Sequence, residues 1–175
     1  VGNGSLASVT TSYGNTANGY YALNANTTGG ENTANGYTTL LSNTTGELNT
    51  ANGSRALSFN TSGDDNTANG AFALYGNTTG NYNIAIGSDA GRNLESGDNN
   101  IYLANWGNTA ESGIIRIGTP GTQTDTYLAG TVHGDGGGLT NLNAAQLSGT
   151  AYADGAGIGT HAPGTLLDVQ GNGTA

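Results

Sequence analysis

The sequence predicts an all-β protein, a parallel β-solenoid or β-roll of 17-residue coils, and three observations support this fold class. Glycine or Asn-Gly interrupts the chain every few residues, which is too often for a helical repeat and typical of stacked β-coils. The pentapeptide Asn-Thr-Ala-Asn-Gly begins, always 17 residues apart, at Asn15, Asn32, Asn49 and Asn66. A second motif, Asn-Thr-Thr/Ser-Gly, begins with the same period at Asn26, Asn43, Asn60 and Asn77.

The period divides the chain into two parts. It continues through Asn83-Ile84-Ala85-Ile86-Gly87 and Asn100-Ile101-Tyr102-Leu103-Ala104, and it stops after Gly118. We therefore place a β-solenoid domain at residues 1–118 and an irregular β-rich fibre or linker segment at residues 119–175. We expect each coil to carry two or three short strands, and successive coils to pair at a spacing of about 4.8 Å.

Comparison of the repeats with one another indicates an apolar spine. Leucine recurs at one position of the coil, where it would form a stacked ladder: Leu23, Leu40, Leu57 and Leu74. Positions that change freely from coil to coil, such as those of Tyr20 and Tyr21, are expected to face water or a partner.

The orientation of the Asn-Thr-Ala-Asn-Gly strand is predicted from later coils, where Ile84 and Ile86 replace Thr and the second Asn. Positions that become isoleucine are expected to be interior, so alternation turns the intervening alanines, such as Ala34, outward. The predicted internal polar ladders, in which each amide bonds its copy in the next coil, are Thr16, Thr33, Thr50, Thr67 and Asn18, Asn35, Asn52, Asn69.

Glycines close both motifs, and we expect them to occupy turns that require a positive φ. The first set is Gly19, Gly36, Gly53 and Gly70, and the second is Gly29, Gly46, Gly63 and Gly80.

Composition excludes several classes of function. The net charge is -9 and the three cations are Arg55, Arg92 and Arg116, so a nucleic acid or an anionic membrane surface is not an expected partner. There are no cysteines to form disulfides or thiolate metal sites. No apolar run reaches the length that would span a membrane. The chain begins at Val1, and we interpret it as a processed or partial product.

The sequence predicts no catalytic, cofactor-binding or metal-binding residues, and hence no enzyme and no cofactor. His133 and His161 have no partner at motif spacing and are interpreted as loop residues. The pairs Asp64-Asp65 and Asp98-Asn99 suggest calcium, but the glycine and aspartate nonapeptide of calcium-binding rolls is missing, which favours turn residues.

Two further motifs have structural interpretations. The Asn-Thr-Thr/Ser motif also fits the glycosylation sequon, although the same residues make good turns, which we favour. The stretch Gly134-Asp135-Gly136-Gly137-Gly138 lacks the residues of a phosphate loop and is interpreted as a flexible turn.

A resemblance to known fibre proteins rests on the repeats and on two segments of the second part. The first is residues 134–150, and the second is Gly157-Ile158-Gly159-Thr160 with Ala162-Pro163-Gly164-Thr165-Leu166-Leu167-Asp168-Val169. These segments resemble linkers that precede the intramolecular chaperone domain of phage-type tail-fibre and bacterial surface-fibre proteins. The repeats resemble the Asn-Thr-Ala-Ile-Gly repeats of those proteins and, more distantly, the β-roll heads of trimeric autotransporter adhesins. The departure is at Asn35 and its copies, where those families carry Ile or Val.

The resemblance implies a homotrimeric, non-enzymatic, extracellular fibre on a cell surface or a virion, with a glycan or protein receptor as a further partner. Two alternatives remain open: a subunit of an open filament, and a monomeric ice- or carbohydrate-binding solenoid that uses its threonine rows. The expected inward orientation of those rows argues against the second alternative. Aromatic residues are expected to pack between subunits rather than to stack on sugars.

Overall fold

The computed structural model describes residues 2–123, which form a β-solenoid with one seven-stranded parallel sheet, its strands in chain order. Each strand pairs with its copy in the next coil, so that Thr16 lies beside Thr33 and Ala17 beside Ala34. The fold class and the 17-residue coil predicted from the sequence are confirmed. The strands are β1 (Thr16–Asn18), β2 (Thr33–Asn35), β3 (Thr50–Asn52), β4 (Thr67–Asn69), β5 (Ile84–Ile86), β6 (Ile101–Leu103) and β7 (Ile115–Ile117).

Each coil contains one strand of three residues, not the two or three strands that we expected. Turns make up the rest of the coil, but their backbone is also bonded from coil to coil. Leu40 N donates to Ala56 O at 3.1 Å, and Thr44 N donates to Thr61 O at 2.9 Å. The sides of the solenoid are therefore hydrogen-bonded from coil to coil as in a sheet, although their residues form turns and not strands.

The predicted orientation of the strands is wrong. Ala34, at the centre of β2, is fully buried, and Thr33 and Asn35 are half-buried on the outer face. The thin space between the sheet and the opposite wall is already filled by leucines, which leaves room for a methyl group and not for a longer side chain. The residues that we placed inside, and which lie outside, are Thr16, Thr33, Thr50, Thr67 and Asn18, Asn35, Asn52, Asn69.

The outward asparagines also do not form the continuous amide ladder that we expected. In residues 2–123, one pair of them is bonded, with Asn35 Nδ2 donating to Asn52 Oδ1 at 2.8 Å. The row is a surface feature with a single lateral amide bond.

The leucine column lies where the sequence predicts an apolar spine. Leu23, Leu40, Leu57 and Leu74 are fully buried and pack with the alanines of the sheet in one core. All four have a left-handed backbone, with φ between 49° for Leu74 and 52° for Leu23. This conformation costs a residue with a Cβ about 1–2 kcal/mol, so the burial of each leucine offsets local strain.

A second column of residues with a left-handed backbone conformation lies at the surface, and it leads to a prediction about stability. Thr38 has φ 50°, which is unfavourable for a β-branched residue, whereas Gly4 holds the equivalent position in the first partial coil with φ 69°. Thr38→Gly should therefore raise the free energy of unfolding by about 0.5 kcal/mol or more, since relief of strain exceeds the entropy that glycine loses. Thr45→Gly, at an exposed turn position without positive φ, should lower it. Urea unfolding of both variants tests this, and a similar loss in both would contradict it.

The two sets of glycines are required for different physical reasons. Gly36 has φ 140° and its copies are also positive, as predicted. Gly29, Gly46, Gly63 and Gly80 do not have a positive φ, so that part of the prediction is wrong. A Cβ at Gly46 would collide with Gly63 O of the next coil and with Asn43 Oδ1. These glycines permit close stacking of the coils.

Most of the second predicted segment, residues 119–175, lies outside the described residues, and so do His133, His161 and Gly134–Gly138. Within residues 2–123, no helix has both the length and the apolar character needed to cross a bilayer.

Candidate interaction surface

Buried asparagines form one hydrogen-bonded network behind the sheet. The first Asn of each pentapeptide points inward; Asn66, for example, is fully buried. Its backbone N and its Nδ2 both donate to Asn49 Oδ1 at 3.0 Å, and Nδ2 also donates to Gly80 O at 2.8 Å. The fully buried members of this column are Asn32, Asn49, Asn66, Asn83 and Asn100.

The first Asn of the second motif forms a parallel column. Asn60 Nδ2 donates to Asn43 Oδ1 at 2.8 Å and to Gly63 O at 2.9 Å. Gly63 O also accepts Asn49 Nδ2 at 2.8 Å, so this carbonyl joins the two columns. The two sequence motifs are thus two parts of one network. Sequence reasoning missed these internal ladders, although their signal was present: Asn83 and Asn100 persist in coils where the outward Thr and Asn have changed.

The asparagine burial also answers the question of the sequons. Asn26, Asn43, Asn60 and Asn77 are fully buried. Because their amides lie inside the network, a glycan does not fit on them in the folded solenoid, which agrees with the interpretation as turn residues. The aspartates of the suggested calcium sites make backbone contacts instead: Asp64 Oδ1 accepts Glu47 N at 2.8 Å, and Asp98 Oδ1 accepts Asn81 N at 2.7 Å.

The outer face of the sheet divides into two chemical regions. The outward side chains of β1–β4 are threonine and asparagine, and we call this region the polar face. Those of β5–β7 are aliphatic and form the apolar face: Ile84, Ile86, Ile101, Leu103, Ile115 and Ile117. Exposed fractions reach 46% at Ile86, 55% at Ile117 and 66% at Ile115. A contiguous, flat and exposed aliphatic surface of this kind is typical of an association site.

Neither face carries a charge. The fourteen outward positions of the seven strands hold only Thr, Asn, Ile and Leu, while the whole chain has a net charge of -9. Acidic side chains lie in the turns that precede four of the five buried asparagines of the first column, for example Glu31, Glu47 and Asp98. The sheet face is therefore the side of the solenoid that a second acidic chain can approach with the least electrostatic repulsion.

Ala85 is the last alanine at the centre of a strand, and beyond it larger side chains at the same strand position close the interior. The strand register places Tyr102 beside Ala85 and Arg116 beside Tyr102. Tyr102 occupies space that a leucine fills in earlier coils, and Gly91 stands at that leucine position because a Cβ there would lie 2.8 Å from Tyr102 Cδ2. Beyond it, Arg116 Nε and Nη2 donate to Glu111 at 2.9 and 2.7 Å.

The ion pair between Arg116 and Glu111 makes the stability of the solenoid depend on pH. Arg116 lowers the pKa of Glu111 from 4.5 to about 2, against the opposing effect of burial. A depressed carboxyl pKa contributes stability above the unfolded value of 4.5, and that contribution disappears as the pH falls towards about 2. The difference in melting temperature between wild type and Glu111→Gln should therefore shrink over this interval.

No cluster of three or more His, Cys, Asp or Glu side chains that could hold a metal ion occurs within residues 2–123. The sequence matches no protein-family model, no curated protein and no solved structure with which it was compared. The surface of the solenoid, and above all its uncharged sheet face, is therefore the feature that bears on function.

Proposed function

We propose that the chain is a non-enzymatic structural element of an extracellular fibre, in which three copies pack their apolar faces around a common axis. The observation that carries the proposal is the contiguous exposed aliphatic surface of β5–β7 on a chain with a net charge of -9. Isoleucines at 55% and 66% exposure lose contact with water only when another surface covers them.

The chemistry of the sheet face favours a copy of the same chain as the partner. Each chain has a net charge of -9, so close contact between copies requires an uncharged face. A parallel arrangement sets isoleucine rows against isoleucine rows and Thr/Asn rows against Thr/Asn rows. An antiparallel arrangement would set Ile117 against the region of Thr16 and leave aliphatic surface against amides, which is less favourable.

Such an assembly would provide reach and rigidity. Continuous hydrogen bonding from coil to coil resists bending. We place it on a cell surface or a virion, in keeping with the resemblance of its repeats and linker segments to fibre proteins. Weak attachment to a receptor by several coils and three chains would add through avidity.

The direct test is the native molar mass of the full chain in dilute solution, measured by multi-angle light scattering over a range of concentrations. The proposal expects three times the mass of one chain, independent of concentration. A single-chain mass would contradict it, and a mass that grows with concentration would indicate an open filament instead.

One observation favours a second candidate function, a solenoid that binds a periodic ligand such as ice or a polysaccharide. The inward orientation that argued against it is wrong, because Thr16, Thr33, Thr50 and Thr67 lie on the outer face in register. Their rows repeat at the strand spacing of about 4.8 Å. Thermal hysteresis that disappears in Thr33→Val/Thr50→Val would support this function, and its absence in the wild type would remove ice as the ligand.

A further inference from the structure

A group of arginine and aromatic side chains lies in the turns that follow β3, β4 and β5, outside the sheet face. Arg55 and Arg92 both lie over the ring of Phe72, with Cζ at 5.4 and 5.2 Å from its centroid. Tyr75 is 5.4 Å from Phe72 and 4.7 Å from Phe59, measured between ring centroids. We call these five residues the basic-aromatic cluster: Arg55, Phe59, Phe72, Tyr75 and Arg92.

The distribution of positive charge singles out this cluster. The whole sequence contains three cationic side chains other than histidine, and Arg116 is held by Glu111 at the end of the core. The other two, Arg55 and Arg92, both lie over the ring of Phe72, and the three residues belong to three successive coils of an acidic solenoid. Arg55 takes part in neither ion pair found in residues 2–123. Arg92 Nη1 donates to Asp89 at 2.7 Å, which leaves its remaining N–H groups free to bind another acceptor.

Both arginines are open to solvent, and the exposed Phe59 ring is linked to them through Tyr75, which Arg92 also contacts with Cζ 5.8 Å from the ring centroid. The Arg92 side chain is 47% exposed, and Phe59 is 45% exposed. A guanidinium binds a carboxylate with two parallel N–H donors, and it does so more strongly than it binds a neutral acceptor. The exposed Phe59 ring, which packs on Tyr75 of the same cluster, offers a flat apolar surface. Together they match a ligand that carries a carboxylate on a rigid ring with an apolar C–H face.

We propose that the basic-aromatic cluster binds an oligosaccharide of carboxylated sugars. Separate carboxylates of the oligosaccharide bind Arg55 and Arg92, which belong to the coils before and after that of Phe72, and a sugar ring packs against Phe59. An acidic peptide presents its carboxylates on flexible side chains without that flat C–H face, so it fits the cluster less well. The site goes beyond the proposed structural function and does not depend on it, because the cluster lies on the turns and leaves the apolar face free for other copies.

The test uses the full chain and isothermal titration with trigalacturonate, its methyl ester and poly-glutamate. Trigalacturonate should bind, and the ester, which keeps the rings and removes the charge, should bind at least about tenfold more weakly. Arg55→Gln/Arg92→Gln should lose affinity by a similar factor. Arg55→Lys keeps the charge without the bidentate fork and should lie between the double variant and the wild type.

The matched control is Tyr37→Ala, in an aromatic pair two coils away from Phe72 that contains no arginine. Tyr37 stacks on Tyr20 with centroids 5.5 Å apart, and the affinity for trigalacturonate should not change when it is removed. Three results would overturn the proposal: no binding of trigalacturonate, equal binding of its ester, or equal binding of poly-glutamate. Light scattering on Arg55→Gln/Arg92→Gln should give the wild-type mass, so loss of the saccharide site is distinguishable from failure of the trimer.

Discussion

Replacement of Asn60 by alanine is expected to lower the free energy of unfolding by roughly 3–5 kcal/mol. Asn60 is fully buried, and its amide group bonds to the coil on each side. The variant would leave Asn43 Oδ1 without its donor and would take from Asn77 Nδ2 the acceptor that now lies at 3.0 Å. Each buried polar atom that loses its partner costs about 1–3 kcal/mol, and the vacated volume adds to the loss.

Asn77, at the end of this asparagine column, shows why a substitution inside the column should lower the free energy of unfolding more than one at its end. Leu94 stands where the next coil would carry Asn, and Asn77 Oδ1 accordingly has no hydrogen-bond partner within residues 2–123. One oxygen is left unsatisfied there, and the leucine fills the space. Asn60→Ala would affect bonds on both sides of the coil and would leave a cavity.

Urea unfolding of Asn60→Ala beside Asn69→Ala provides the measurement and its control. Asn69 has the same side chain but lies exposed on the sheet face. Its removal should change the free energy of unfolding by no more than about 0.5 kcal/mol. Equal effects of the two variants would show that the buried network does not hold the coils together.

The period of the sequence predicted the solenoid, but a three-residue strand did not reveal which face is inside. Strict alternation allows two orientations, and we chose the one that buries Ile84 and Ile86. The structure follows the criterion that also identifies the leucine spine: residues that stay the same through the first five strands, Ala34 and Asn32 among them, are inside. The outward positions change from Thr and Asn to Ile because the surface they form changes its chemistry.

The closed end of the core and the basic-aromatic cluster could not be predicted from the sequence, for another reason. Tyr102 replaces an alanine and Gly91 replaces a leucine in different parts of their coils, and only the fold shows that the two changes compensate each other. Arg55, Phe72 and Arg92 likewise come from three coils, and Arg92 occupies a different position in its coil. A repeat alignment places residues in columns, but it does not show which columns are neighbours around the coil.

The apolar face leads to the second large effect: Ile84→Thr/Ile86→Asn should convert the proposed trimer largely to monomer in dilute solution. Burial of an isoleucine contributes about 1.5–3 kcal/mol, and the double variant changes two residues in each of three chains. The concentration at which the assembly dissociates should therefore rise roughly 100-fold or more. Light scattering and sedimentation velocity on a dilution series measure it.

The chain itself provides the evidence that this variant would still fold. β1–β4 already carry Thr and Asn on either side of a buried alanine, and Ala85 remains at the centre of the changed strand. The converse variant, Thr67→Ile/Asn69→Ile, extends the apolar face by one strand and should strengthen association. If these positions mattered only for the stability of one chain, the two variants would change unfolding and leave the mass alone. Opposite shifts in the concentration at which the assembly dissociates would instead assign Ile84 and Ile86 to contact between copies.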